Sequence, residues 1–285
     1  MLSLVIATLA DDGYLKDCLT SLTALDDPPD FEVIVVDQNE DDRLDAVVAA
    51  HAGKLEIVHL RVGFRGASRA RNAGAAIARG QWIGFPDDDC RLCPDALTHF
   101  AALVESQPGL RIVTGRTVDD AGAPSVLRWG RDARHFDQAT MFACVTEATL
   151  FVEREAYHAA GGFDERFGPG TRFPAAEGLD LVNRLIETLG SGCAYFTPAI
   201  QMIHPTKTPP WTRWAARRFH AYAIGNGALI AKNPQRHMLR WGARSFASAG
   251  VQVFTLPPWR SAAFAARLAG MIRGFVAFRL GGRAR

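Results

Sequence analysis

The sequence predicts an α/β protein: a mostly parallel sheet flanked by helices, with a basic helical extension at the C-terminal end. Three observations predict it. Short β-branched apolar runs alternate with amphipathic helical segments, the pattern of buried strands joined by helical crossovers. Acids cluster at the ends of two of those runs, at the carboxyl edge where such a sheet receives ligands. Residues 205–285 hold fourteen Lys and Arg and no Asp or Glu, whereas residues 1–204 hold 18 basic and 30 acidic side chains, a net charge of −12.

In chain order, LSLVIAT (2–8), FEVIVVD (31–37), LEIVHL (55–60) and QWIGFP (81–86) have strand length and composition. Between them GYLKDCLTSLTAL (13–25), DDRLDAVVAAHAG (41–53) and SRARNAGAAIARG (68–80) have helical periodicity. A further helix is expected from Pro94-Asp95, with Pro in the first turn, and a strand at RIVTGRTV (111–118). Residues 119–138 are Gly-, Asp- and Arg-rich without periodicity and read as a loop. FACVTEATLFV (142–152) reads as a strand, EREAYHAAGGF (153–163) as a short helix ended by glycines, and AEGLDLVNRLIETLG (176–190) as a helix. CAYFTPAIQMIHP (193–205) reads as a closing strand, edge or bulged because of its Pro. Two helices follow, 211–232 and 259–283; in the second, Phe264, Leu268, Met271, Phe275 and Phe278 form one stripe edged by Arg260, Arg267 and Arg279. That stripe packs a core or lies at a membrane surface.

The 285 residues, 48% hydrophobic, suffice for one large domain with an appendage. The N-terminal stretch lacks a basic n-region, and no run of about 18 uninterrupted apolar residues occurs, so neither a signal peptide nor a transmembrane helix is expected. Five scattered cysteines suit a reducing cytoplasm, and the CRLC at 90–93 lies behind acids that oppose thiolate formation. The basic tail fits docking onto acidic surface or an anionic membrane. Its Trp and Arg residues match no nucleic-acid-binding motif, so no nucleic-acid partner is expected.

QWIGFPDDDC ends a buried run in Asp87, Asp88 and Asp89. Mg²⁺ and Mn²⁺ take carboxylate, phosphate and water oxygens, so such acids at a sheet's ligand edge suit a metal carrying a diphosphate. Arg65, Arg69 and Arg71 just before this strand would offset phosphate charge at a helix N-terminus. The bland reading of each is a capped turn and a solvated basic face.

In order, VIATLADDGYLKDCLTSL, FEVIVVDQNEDD, RGASRARNAGAAIARGQWIGFPDDD, GGFDERFG and AEGLDLVNRL resemble family 2 glycosyltransferases of the GT-A fold, over about residues 2–204. The resemblance implies a GT-A domain at 1–204, nucleotide-sugar-binding in 1–115 and acceptor-binding in 116–204, with 205–285 as the basic helical region. It implies inverting transfer from a nucleotide-diphosphate sugar, UDP favoured over GDP, to a glycan or lipid-linked hydroxyl, with Mn²⁺ or Mg²⁺. The setting it implies is bacterial cell-surface polysaccharide or glycolipid synthesis, in the cytoplasm and peripheral to the inner membrane.

By the same resemblance Ala7, Thr8 and Leu9 lie beside the nucleotide, Asp37 holds the base, and Asp87 with Asp89 match the D-x-D, Asp88 substituting for either. Where relatives place a Glu-Asp pair this chain has Glu177 and Gly178, so the general base is Glu177, with Asp180 as alternate or as an acceptor-binding acid. A capping role for Glu177 is the bland alternative. His204 is either a further metal ligand or a packed histidine, and Asp164 either holds an acceptor hydroxyl or belongs to a structural loop. Two other functions remain in view. A non-catalytic nucleotide-sugar-binding or scaffolding subunit is compatible with Gly178. A nucleotidyltransferase would need a Gly-rich loop that VIATLADDG lacks.

Overall fold

The computed structural model describes residues 1–9, 13–127, 129–205 and 211–281. They form two compact units: Met1–Asp164 with Leu181–Thr206, and Glu165–Asp180 with Lys207–Arg285. The sequence suggested one division at 204, but residues 165–180 group with the helices that follow.

In the first unit β1 (Leu2–Thr8), β2 (Phe31–Asp37), β3 (Ile57–Arg61) and β4 (Trp82–Gly84) run parallel in the order β3-β2-β1-β4. The near-continuous apolar character of β1 and β2 follows from cover on both faces. Leu4, Ile6, Val33 and Val35 share a core with α1 (Tyr14–Leu22) and α2 (Asp45–His51). Val5 and Val36 meet α3 (Ala67–Ile77) on the other face, at Gly74, where a Cβ would overlap the Val5 side chain. The expected helices exist, each shorter than the periodic stretch that announced it.

Beyond β4 the sheet is mixed. It continues as β4-β8-β6-β9-β5, from β5 (Arg91–Leu92), β6 (Ile112–Val118), β8 (Leu150–Glu153) and β9 (Ala194–Ile203), with β8 antiparallel to both β4 and β6. Several expectations change here. The helix α4 (Ala96–Ser106) begins after Asp95, so Pro94 precedes it rather than filling its first turn. The expected loop at 119–138 contains β7 (Arg134–His135), paired with β9. The expected strand 142–152 is a strand only from Leu150. Met141–Ala143 and Glu147–Thr149 are single 3₁₀ turns, the first following an Asp137 carboxylate that accepts from Ala139 N, Thr140 N and Thr140 Oγ1. The short helix is α5 (Arg154–Ala159), ended by Gly161 and Gly162 at positive φ. Helix α6 (Glu177–Leu189) is as expected. Around Pro198 the strand β9 bulges: Thr114 pairs with Phe196 but Arg116 with Gln201. It is an interior strand, between β6 and β5.

The second unit contains three long helices, α7 (Arg213–Lys232), α8 (Arg236–Thr255) and α9 (Pro258–Gly281). α8 was not among the helices expected from the sequence. The α9 stripe faces inward. Phe264 lies 5.4 Å from Phe219, and Phe278 packs on Phe167 and Phe173 at 6.1 and 5.6 Å. By length and composition alone α9, with a mean hydropathy of 1.3 in its most apolar stretch, is long and apolar enough to cross a membrane, which the search for an unbroken apolar run did not register. Its alanines, aromatic and aliphatic residues raise the mean, while the arginines among them break the apolar run.

The IGNGAL stretch of α7 explains how tightly these helices meet. A Cβ at Gly227 would overlap Met271 O of α9, one at Gly274 would overlap Ile224 O, and one at Gly225 would strike the Ala175 backbone. Backbone has little room to move aside, so overpacking here is expected to cost about 1–3 kcal/mol. Gly227→Val should lower Tm by several degrees; an unchanged Tm would show that the helices have slack.

Candidate functional site

Within the first unit, the carboxyl ends of β1, β2 and β4 bring together most of the residues singled out from the sequence. Thr8 ends β1 and Asp37 ends β2, paired in register, and both are buried. Asp37 Oδ1 accepts from Asn39 N and Asn39 Nδ2 at 2.9 and 2.8 Å, while Oδ2 lies 3.0 Å from His59 Nε2. Thr8 Oγ1 is buried and has no hydrogen-bond partner among the described residues, an open position for a polar ligand atom. Gln38 ties the rim together: its Nε2 donates to Thr8 O at 3.3 Å and its Oε1 accepts from Gly66 N at 2.7 Å, at the start of α3.

A cleft of about 380 Å³ opens beside these strand ends, lined by Leu9, Asn39, Glu40, Asp41, Arg43 and Arg65. Arg65 is exposed there, 3.7 Å from Glu40. Arg43 grips Asp41 through two hydrogen bonds, and these hold the Asp41 carboxyl down at about 2. The cleft is polar and carries both signs of charge.

Past β4 the chain turns, with Cys90 N donating to Asp87 O at 3.1 Å, and re-enters the sheet as β5. Antiparallel pairing of Arg91 with Ile203 then brings His204 alongside the turn. As a result donor atoms of Asp87, Asp89, Cys90 and His204 all lie within 4.8 Å of one another. His204 Nε2 is 3.7 Å from Asp89 Oδ1, and its Nδ1 is 2.9 Å from Pro205 O. Two carboxylates and an imidazole suit Mn²⁺ or Mg²⁺, so the residues present fit the metal that the sequence implied. Burial, then the charges of Asp87 and Asp89, push the Cys90 thiol well up, which keeps it protonated. Cys18 is shifted the same way, burial first and the three aspartates after it.

Arg71 is buried, and its Nη2 donates to Asp87 Oδ1 at 2.6 Å, which places its charge against the acid cluster. The residues that hold it were missed. Asn72 Nδ2 donates to Phe163 O and Asn72 Oδ1 accepts from Phe163 N, both at 2.9 Å; Oδ1 also accepts from Tyr157 Oη at 2.6 Å. Phe163 packs on Phe85 at 4.9 Å, and the Arg71 guanidinium sits 5.6 Å from its ring. The GGFDERFG segment therefore clamps α3 beside Asp87. A mid-helix Asn, a weak helix former, was the available signal.

The two acids expected to serve as base belong to the second unit, in the first turn of α6. Glu177 is buried and follows Ala176, which sits at a φ of 76°, a left-handed conformation that costs a non-glycine residue about 1–2 kcal/mol. Asp180 is fully buried, and its two oxygens lie 2.7 and 2.8 Å from Lys232 Nζ, with Asn233 Nδ2 donating at 3.2 Å. Asp180 is thus held in a buried ion pair within its unit. Asp88 is half-buried beside its neighbours.

Residues 3–153 match the sequence model of the family described as Glycosyl transferase family 2. The chain belongs to that family. It is accordingly an enzyme of the glycosyltransferase class. It is 27% identical over 129 residues to the poly(ribitol-phosphate) beta-N-acetylglucosaminyltransferase TarS of Staphylococcus aureus, which covers 44% of this chain and 22% of TarS. It is 28% identical over 205 residues to the O-antigen biosynthesis protein RfbC of Myxococcus xanthus, covering 64% of this chain and 14% of RfbC. The glycosyltransferase thus spans a minor part of these relatives. Among solved structures, residues 1–349 of S. aureus TarS superpose with a TM-score of 0.62 at 16% identity, covering 100% of this chain and 93% of that one. The mannosyltransferase PcManGT of Pyrobaculum calidifontis gives 0.58 at 16% identity, covering 100% and 75%. At such identities the likeness shows the fold, a mixed α/β sheet of the GT-A type.

Removing the Lys232 ammonium would leave the Asp180 charge buried, which typically costs about 3–5 kcal/mol. Lys232→Met should lower the denaturation midpoint accordingly, and the added change Asp180→Leu should recover much of the loss. A Lys232→Met protein as stable as the wild type would show that the pair contributes nothing net.

Proposed function

We propose that this glycosyltransferase moves a sugar, with inversion, from a nucleotide-diphosphate donor to a hydroxyl of a glycan or lipid-linked acceptor. The setting is bacterial cell-surface polysaccharide or glycolipid synthesis, at the cytoplasmic side and peripheral to the inner membrane. The observation that supports this best is the meeting of Asp87, Asp89 and His204 at the ligand rim of a family 2 sheet. The names and contents of its relatives agree. TarS has been solved with UDP and with UDP-GlcNAc, and PcManGT with GDP-Man and Mn²⁺. A UDP-sugar is the favoured donor here, following TarS.

In this reading Asp87, Asp89 and His204 hold Mn²⁺ or Mg²⁺, with Asp88 able to replace either carboxylate. The metal supplies positive charge to the donor's diphosphate. Thr8 Oγ1 offers a hydrogen bond to the nucleotide, Asp37 receives the base with its carboxylate oriented by Asn39 and His59, and Arg65 extends toward the phosphates from the cleft. Glu177 is the general base; Asp180, engaged by Lys232, supports the turn that carries it. The acceptor oxygen bonds to the anomeric carbon as that carbon's bond to the diphosphate oxygen breaks. The hydroxyl proton goes to the Glu177 carboxylate and the nucleoside diphosphate leaves.

Gly178, at the position where the family resemblance implies an Asp, favours a second reading, a subunit that binds nucleotide-sugar without turning it over. Two variants separate the readings. Asp89→Ala should abolish Mn²⁺-dependent UDP or GDP binding in isothermal titration. Glu177→Gln should leave donor binding intact and cut donor hydrolysis and transfer by about 10²–10⁴-fold. Unchanged binding in Asp89→Ala rejects the metal site, and donor binding without turnover in the wild type establishes the non-catalytic reading.

A further inference from the structure

The second unit exposes an apolar face that no described residue covers. On α8, Leu239, Phe246 and Phe254 fall seven and eight residues apart on one side of the helix, with Val251 a turn before Phe254; all are exposed, Val251 by 62% and Phe254 by 89%. Beyond the Pro257-Pro258 corner Trp259 is 57% exposed. Arg236, Arg240 and Arg244 run beside this face at four-residue intervals, also exposed. These are different residues from the α9 stripe that the sequence singled out, which is spent on packing inside the unit.

Charge decides what covers such a face. Residues 205–285 carry fourteen basic side chains and no acids, so a second copy would set two like-charged surfaces together. A nucleic acid would satisfy the arginines and leave Val251 and Phe254 in water. An anionic bilayer takes both: aromatic and aliphatic groups enter the headgroup boundary while the arginines reach lipid phosphates.

We propose that the exposed face of α8, with Phe254 and Trp259 at its end, seats this enzyme on an anionic bilayer. The inference rests on the peripheral-membrane reading above and gives that reading its surface. The test is flotation of the full chain with phosphatidylcholine vesicles, with and without phosphatidylglycerol, at low and high salt. Wild type is expected to float with the anionic vesicles only, and less as salt rises. Phe254→Asp/Trp259→Asp should lose flotation at least tenfold. Removing a single charge, as in Arg240→Gln, should weaken it about fivefold, the worth of one basic residue at such a surface. Tm and nucleotide binding should not change, since every altered side chain is exposed. If wild type floats and the variants float equally, the membrane reading stands and this surface is rejected. If wild type never floats, both are rejected. Equal flotation with neutral vesicles, or flotation that survives high salt and alkaline wash, overturns the interfacial mode in favour of an inserted helix. A wild-type dimer that these substitutions make monomeric, or retention of the chain by duplex DNA in place of vesicles, overturns the bilayer as occupant.

Discussion

Mutual repulsion among Asp87, Asp88 and Asp89 is the constraint on which the first unit's ligand rim depends. Two like charges about 4 Å apart cost roughly 4 kcal/mol at the effective dielectric of a protein surface. The fold answers with a buried arginine on one side and a histidine on the other. Arg71 reaches Asp87 because Gly74 lets α3 lie against Val5 and Val36, and because Asn72 and Phe163 lock that helix to the turn after α5. His204 reaches Asp89 because β5, two residues long, pairs with the end of β9. Removal of any of these contacts would move charge as well as backbone.

The first half of the fold was legible because its signals are local. Apolar runs of strand length, the acids that end them and the amphipathic segments between them fixed β1 to β4 and α1 to α3 from neighbouring residues alone. The acidic turn was legible for the same reason. What could not be read required knowledge of partners far along the chain. The contact of Arg71 with Asp87, sixteen residues on, could not be read because the two become neighbours only through packing. His204 could be named but not placed until a strand pairing more than a hundred residues long in sequence was known. The segment 142–152 misled because its Phe, Val and Thr suit a strand, while two 3₁₀ turns bend the backbone before Leu150.

The helical unit shows a different limit. Its periodicity was plain in α9, but whether that stripe packed a core or met a membrane was not. Packing decided it, through aromatic pairs with Phe167, Phe173 and Phe219. Glycine weakens an isolated helix, and the purpose of those in α7 emerges only where a second backbone crosses them.

The Asp180–Lys232 pair also bears on how the tail can be studied. The first turn of α6 is held by α7: Gly225 lies against the Ala175 backbone, the strained Ala176 follows, and the Lys232 ammonium closes on Asp180. Truncation before α7 would strip a counter-ion from a buried carboxylate three residues beyond Glu177. An inactive shortened enzyme would therefore say nothing about lipid, because the deletion dismantles the turn that presents Glu177 along with the tail.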